Sequence, residues 1–238
     1  MSLTYAQYVT QLANFMVVSP SDANYLSALP SIIDDAEQRT YRDLDLLATR
    51  ITNTATSLSS GSRTVALSTT LGTFLVVEEV NVITPSTATA ATGTRVPLVN
   101  VSRDFINAVY PSNTSATNTP EFWSMTDNAN IIVGPSPDAA YPLEVIGTIR
   151  PTPLSSANQS TILTTMLPDV FMAASLVYAA GYMKDFGAMS DDPQAGATWE
   201  ALYQKRLASA ATEEFRKKYT SQAWTSKTPA PFATPARV

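Results

Sequence analysis

The chain contains no histidine and no cysteine among its 238 residues. That excludes Ser-His-Asp and Cys-His catalysis, zinc sites built on imidazole or thiolate, disulfides and thiol redox chemistry. With no thiol the redox compartment cannot be read. Small secreted scaffolds usually depend on disulfides, so the lack of cysteine leans toward the cytosol or an assembly made there. Charge is also scarce. Charged residues make up 15% of the chain, against about 25% in average proteins. Thr, Ser, Ala and Asn fill that place, which suits a subunit whose surface is covered by neighbours and equally a secreted β protein. The net charge of -5 leaves no global basic footprint for sequence-specific nucleic-acid binding. Only 8 glycines are present, and none falls in a phosphate-binding loop or a dinucleotide fingerprint. The opening MSLTYAQYVTQ lacks the basic stretch that begins a secretory leader. The most apolar run, Val170–Met183, is shorter than the roughly 20 residues of a membrane span, so no membrane contact is expected. Asn100, Asn113 and Asn158 each open an N-x-S/T triplet, a pattern common by chance in so Ser/Thr-rich a chain.

What is present is helical at both ends and β-like between. Tyr5, Tyr8, Val9, Leu12 and Phe15/Met16 recur at helical spacing, so Thr4–Met16 is an amphipathic helix. Ser19-Pro20-Ser21-Asp22 breaks it and supplies caps for a second helix. There Leu26, Leu29, Ile33, Ala36, Thr40 and Leu44 share one face, with Asp34, Asp35, Glu37, Arg39, Arg42 and Asp43 largely elsewhere. Pro30 either opens this helix at its first turn or kinks it. Strands are expected over Arg63–Ser68, Thr73–Ile83, Arg95–Val101, Asn130–Val133 and Leu143–Ile149, which are rich in Val, Ile and Thr. Glu78-Glu79 splits the second of these, which therefore bends or has a wet edge. Thr84–Thr94 reads as a hairpin tip, Ser102–Val109 as a short helix, Pro111–Pro120 as a loop and Gly134–Asp138 as a turn. Helices resume at Pro168. The first is apolar on nearly every side through Tyr182 and is expected to be central. The second follows the cap pair Asp192-Pro193, with Trp199, Leu202, Tyr203, Leu207 and Ala210 as its stripe and Glu213–Lys217 and Glu214–Lys218 as surface pairs. Beyond Thr220 the segment SQAWTSKTPAPFATPARV is extended and Pro-rich.

The expected fold class is therefore α+β: a bundle of about four helices drawn from both chain ends, an inserted small antiparallel β domain and an extended C-terminal tail. The corresponding divisions are 1–50, 51–153, 154–219 and 220–238. No catalytic, cofactor or metal residues are assigned. Asp34, Asp35, Glu37, Asp43 and Asp45 lack ligand spacing and read as a solvated helix face and end. Glu78 and Glu79, adjacent on a strand, point to opposite faces and cannot share a cleft. Trp123 reads as a buried anchor before a sugar platform, and Tyr5, Tyr8 and Phe15 as core before a base-stacking surface. Arg216-Lys217-Lys218 compensates a helix end.

Four segments carry a resemblance. AEQRTYRDLDLLATR (Ala36–Arg50) resembles the opening helix of the head-to-tail adaptor, or connector, proteins of tailed bacteriophages. FWSMTDNANIIVGPSPDAAYPLEVIGTIRPTPLS (Phe122–Ser155) is similar to their turn, strand, G-P-x-P-D turn and second strand. TTMLPDVFMAASLVYAAGYMKD and WEALYQKRLASAATEEFRKKY resemble their closing helices. Residues 51–119 carry no such likeness. The resemblance implies a non-enzymatic virion neck component, assembled in the host cytoplasm. It implies a ring matched to the portal's twelvefold symmetry, which docks under the portal protein, extends the DNA channel and offers the tail an attachment surface. Its partners would be the portal, an adjacent neck or tail protein and copies of itself, with DNA passing unbound. The tail residues Trp224, Pro229, Pro231, Phe232, Pro235 and Arg237 are expected to bind the portal or a neighbouring subunit. Two other readings stand beside it: a decoration or tail module recognising carbohydrate or host surface through its β insert, and a cell-wall hydrolase using carboxylates alone.

Overall fold

The computed structural model describes residues 2–182 and 195–221. The first helix, α1 (Tyr5–Phe15), starts where Thr4 accepts the Gln7 N–H and the Gln7 side chain answers to the Thr4 N–H, a reciprocal capping box. It ends on a left-handed Val17, φ 56°, whose N–H reaches Asn14 O at 3.3 Å while Val18 N–H reaches Ala13 O at 3.0 Å. That pair of bonds is a Schellman stop, normally built on glycine. Tyr8, Leu12, Ala13 and Met16 face inward, whereas Phe15 is exposed.

Helix α2 (Ala23–Asp43) is capped by Asp22, which accepts the Tyr25 N–H at 2.9 Å. Pro30 lies inside it and does not open it. Its ring leaves the Leu26 carbonyl without the usual helical donor, and both residues lie on the exposed side. The expected stripe is thereby corrected. Leu26 is exposed, and Tyr25 and Ile32 join Leu29, Ile33, Ala36 and Thr40 on the buried side. Glu37, expected on the wet face, is buried among them.

The helical core closes around α5 (Pro168–Tyr182), preceded by the short α4 (Ile162–Met166) and followed by α6 (Ala195–Ser221); here α3 (Arg103–Val109) lies apart, within the β region. Pro168 opens α5, as expected. Val170, Phe171, Ala173, Ala174, Ser175, Leu176 and Ala179 are buried around its circumference, because α1, α2, α4 and α6 all pack on it. Tyr8 stacks on Phe171 with ring centroids 4.9 Å apart. Its hydroxyl donates to Ser175 Oγ at 2.7 Å, which in turn donates to Phe171 O. Burial holds the Tyr8 phenol well above its ordinary pKa, so it stays a neutral donor. Among the described residues there are six α-helices. The four long ones are those the periodicity marks, and α3 and α4 are no more than about two turns each. The proposed Asp192-Pro193 cap lies outside the described residues.

Between the helical ends the chain forms two four-stranded sheets, not one. The strands are β1 (Arg50–Asn53), β2 (Thr64–Ala66), β3 (Gly72–Thr84), β4 (Thr94–Pro97), β5 (Val99–Asn100), β6 (Phe122–Met125), β7 (Asn130–Gly134) and β8 (Leu143–Pro151). The orders are β1-β8-β3-β4 and β2-β7-β6-β5, antiparallel except for the parallel pair β5–β6. The expected strand Arg95–Val101 is thus divided: its two parts belong to different sheets and Leu98, buried, marks the crossing. Strands β1 and β6 were not legible as strands. The first has a single strongly apolar residue, and the second is short and aromatic. Trp123 on β6 is buried, as expected. Val80, Val82, Val145 and Ile149 of one sheet meet Val65, Trp123, Ile131 and Val133 of the other in a core distinct from the helical one. Strand β3 bends at two register shifts, Phe74/Val76 and Val77/Glu79, which leaves both Glu78 and Glu79 exposed. Gly72, φ 142°, is obligatory there, since a Cβ would strike the Arg150 carbonyl.

Candidate docking surfaces

Hydrogen bonds to buried carboxylates fasten the helices to the chain that enters and leaves the sheets. Glu37 on α2 accepts the Leu154 N–H at 3.1 Å, just after β8. Burial pushes its carboxyl up to about 7, partly opposed by that bond. Glu214 on α6, expected at the surface, is also buried. It accepts the Leu47 N–H at 3.1 Å and an N–H from Lys217 at 2.7 Å, while Lys217 also reaches Glu213 at 2.8 Å. Lys218 pairs with Asp45 beside the Arg50–Glu78 bridge of 2.6 Å, and these four line one depression where α6, β1 and β3 converge.

A second cluster ties α2 to α6. Arg39 donates to both Glu200 oxygens, at 2.8 and 2.5 Å, and its guanidinium carbon lies 4.3 Å from the centroid of the Tyr203 ring. Tyr203 donates to Asp43 at 2.7 Å. The hydrogen bond from Arg39, then that from Gln204, holds Glu200 below the usual carboxylate range. The acidic residues considered as ligands are thus dispersed: Asp34 takes Gln38, Glu37 points inward, Asp43 takes Tyr203 and Asp45 takes Lys218. Among the described residues no three acidic side chains converge on one point, and no helix is long and apolar enough to cross a membrane.

Among the apolar features of the described surface, two bear on docking. The first is a groove of about 490 Å³ at the seam between the sheet β1-β8-β3-β4 and α4. Ile51, Leu71, Ile149, Ile162 and Met166 line it with a rim of Thr, Ser and Asn, and no charged side chain enters. Leu71 and Met166 are each more than half exposed. The second is on α6, away from the inward stripe of buried Tyr203 and Ala210 and partly buried Leu207. Ala197, Ala201, Gln204, Ala208, Ala211, Phe215 and Tyr219 follow one another three or four residues apart and are all exposed. This face carries no charge, and it ends in Phe215 and Tyr219, 70% and 78% exposed, the barest aromatic side chains described.

The sequence reading missed both features. Phe215 and Tyr219 were detectable, being aromatic and four apart off the core stripe. The groove was not, because its walls come from residues 48–166 and adjoin only in three dimensions. The tail residues Trp224, Pro229, Pro231, Phe232, Pro235 and Arg237 lie outside the described residues. In comparisons with known proteins, the family model described as SU10 adaptor protein matches residues 3–230, nearly the whole chain, including residues 51–119 for which the sequence suggested no likeness. No curated protein matches at a significant level.

Proposed function

The chain belongs to the SU10 adaptor protein family, and on that premise we propose that it is a ring-forming neck component that joins the capsid portal to the tail. As a phage adaptor it is a structural virion protein that associates with other virion components. The finer reading is that copies assemble side by side into a ring under the portal, with twelvefold symmetry, and that the ring extends the DNA channel and presents the tail with its docking surface. The observation that carries this is the family match over 3–230. The physical character of the chain supports it. The apolar α5 makes a rigid body around which four helices pack. The sparse charge and net -5 suit a channel through which DNA slides, since phosphate neutralisation by Lys and Arg is what creates affinity. The role needs no catalysis, and its residues are contact residues.

In this reading the segment 222–238 is the portal-binding arm, or the arm to a neighbouring subunit, with Trp224 and Phe232 as anchors and Pro229, Pro231 and Pro235 as further contact residues. Arg237 adds a cation near its end. Assembly takes place in the host cytoplasm before the tail attaches. The test is electron microscopy of the full chain mixed with its portal, paired with a deletion of 222–238. A ring seated on the portal by the full chain, and loss of portal binding with unchanged helical signal on deletion, is the expected outcome. Portal particles that remain bare with the full chain would overturn the assignment, and undiminished binding by the deletion variant would remove the arm from it.

A further inference from the structure

We propose that Phe215 and Tyr219 of one copy insert into the apolar groove beside Leu71 and Met166 of the next, forming the heterologous contact that joins the ring. The inference rests on the ring-forming reading and names the surface that makes it.

Four observations meet here. First, one feature is convex and the other concave. One is a pair of bare rings on a helix, the other a concavity of about 490 Å³, within the 300–1,000 Å³ size range of pockets that enclose ring-containing groups. Second, both are neutral. No charged side chain lines the groove, and the α6 face from Ala197 to Tyr219 carries none. The centre of the contact therefore holds no ion, and depletion of charge with enrichment of aromatics is the mark of an interface core. Third, no α6 residue lines the groove, so the aromatic pair does not fill it from within the same chain. Fourth, the two patches are different surfaces of one molecule. A contact between them is head-to-tail and leaves each copy with one free knob and one free hole, so that it propagates until the rotation closes. Two aromatic side chains bury about 150–250 Å² each. The pair is thus the energetic centre of the contact, with the Ala face of α6 and the polar rim around it.

The chain has no cysteine, so introduced pairs report without background. The full chain carrying Tyr219→Cys and Met166→Cys, oxidised at high concentration, should give a covalent ladder that extends past the dimer. Either single variant should stay monomeric, because in a head-to-tail contact each position meets only the other; single variants that form covalent dimers would show like-with-like contacts and overturn it. In parallel, Phe215→Ser with Tyr219→Ser should leave the melting temperature nearly unchanged, as both side chains are exposed, and reduce assembly at least tenfold in concentration. Absence of the ladder in the double-cysteine chain overturns the contact, whether or not the protein is oligomeric. Unimpaired assembly of the double-serine chain overturns it as well. Particle mass of the unmodified chain reports separately on ring formation: a ring without the ladder sinks this contact alone, and bare portals in the preceding experiment sink the adaptor reading alone.

Discussion

At the scale of single residues, Val17 and Glu37 hold conformations that their side chains oppose. Val17 is a β-branched residue in the left-handed region, a placement costing about 1–2 kcal/mol that glycine avoids. Its side chain is 72% exposed, so little burial offsets the strain. Val17→Gly should therefore stabilise the chain by about 0.5–1 kcal/mol, after allowance for the greater freedom of glycine in the unfolded state. A urea midpoint equal to or below that of the parent would contradict this. Glu37 is the opposite case, a buried group whose strain depends on pH. Its carboxyl is raised to about 7 by burial, with Asp34 adding to the rise. Below the ordinary carboxylate pKa both folded and unfolded chains hold the proton and Glu37 contributes nothing. As pH climbs from 4.5 to about 7 the unfolded chain releases it first, so folding stability falls across that window and levels off above it. The loss is on the order of 3 kcal/mol. Glu37→Gln keeps an acceptor for the Leu154 N–H and removes the titration. Its stability relative to the parent should rise across that window by a comparable amount, and parallel denaturation curves at both ends would show that Glu37 is not shifted.

At the scale of elements, the pairing of α2 with α6 rests on a planar fork. Arg39 spans to both oxygens of Glu200 and stacks on Tyr203, which is itself tied to Asp43. A bidentate, stacked guanidinium is not replaced by an ammonium. Arg39→Ala should cost about 2 kcal/mol, from charge-assisted hydrogen bonds that are partly screened at this half-buried site, and Arg39→Lys should recover less than half of it. Full recovery by lysine in thermal melts would show that only the charge matters. The strands illustrate a different lesson. Residues 95–101 present one continuous β-prone run, yet the chain crosses between sheets at Leu98 because Leu98 N–H bonds back to Val80 O while Val99 N–H bonds forward to Glu121 O. Neither partner is near in sequence, so local propensity carried no sign of the break.

At the scale of the whole molecule, two cores and a neutral exterior set how copies meet. The helical core is gathered from both chain ends and the β core from the middle, and the groove lies at their seam. Because the contact proposed for that groove buries no charge, its strength should not fall with salt. Screening shortens the reach of charges from about 10 Å at 0.1 M to about 3 Å at 1 M, which weakens ionic interfaces and leaves apolar ones intact. Sedimentation of the full chain at about 0.1 M and about 1 M salt should show equal or stronger assembly at the higher value. Dissociation at high salt would assign the ring contact to ion pairs between copies instead.

The sequence by itself determined the α+β class, the four long helices, the central place of α5 and where along the chain most strands lie. Each follows from periodicity, capping residues and breakers that lie within one turn or one strand of the element they shape. It also determined which chemistries are closed, since a chain without histidine or cysteine cannot assemble sites that need them. Only the tertiary structure decided that the strands divide into two sheets, that Glu37 and Glu214 turn inward to bind backbone N–H groups at Leu154 and Leu47, and that an apolar groove opens opposite no side chain of α6. The physical reason is range. Hydrogen-bond partners more than a hundred residues away, and walls of a groove drawn from separate elements, leave no pattern in neighbouring positions. They come into being only when the two cores pack.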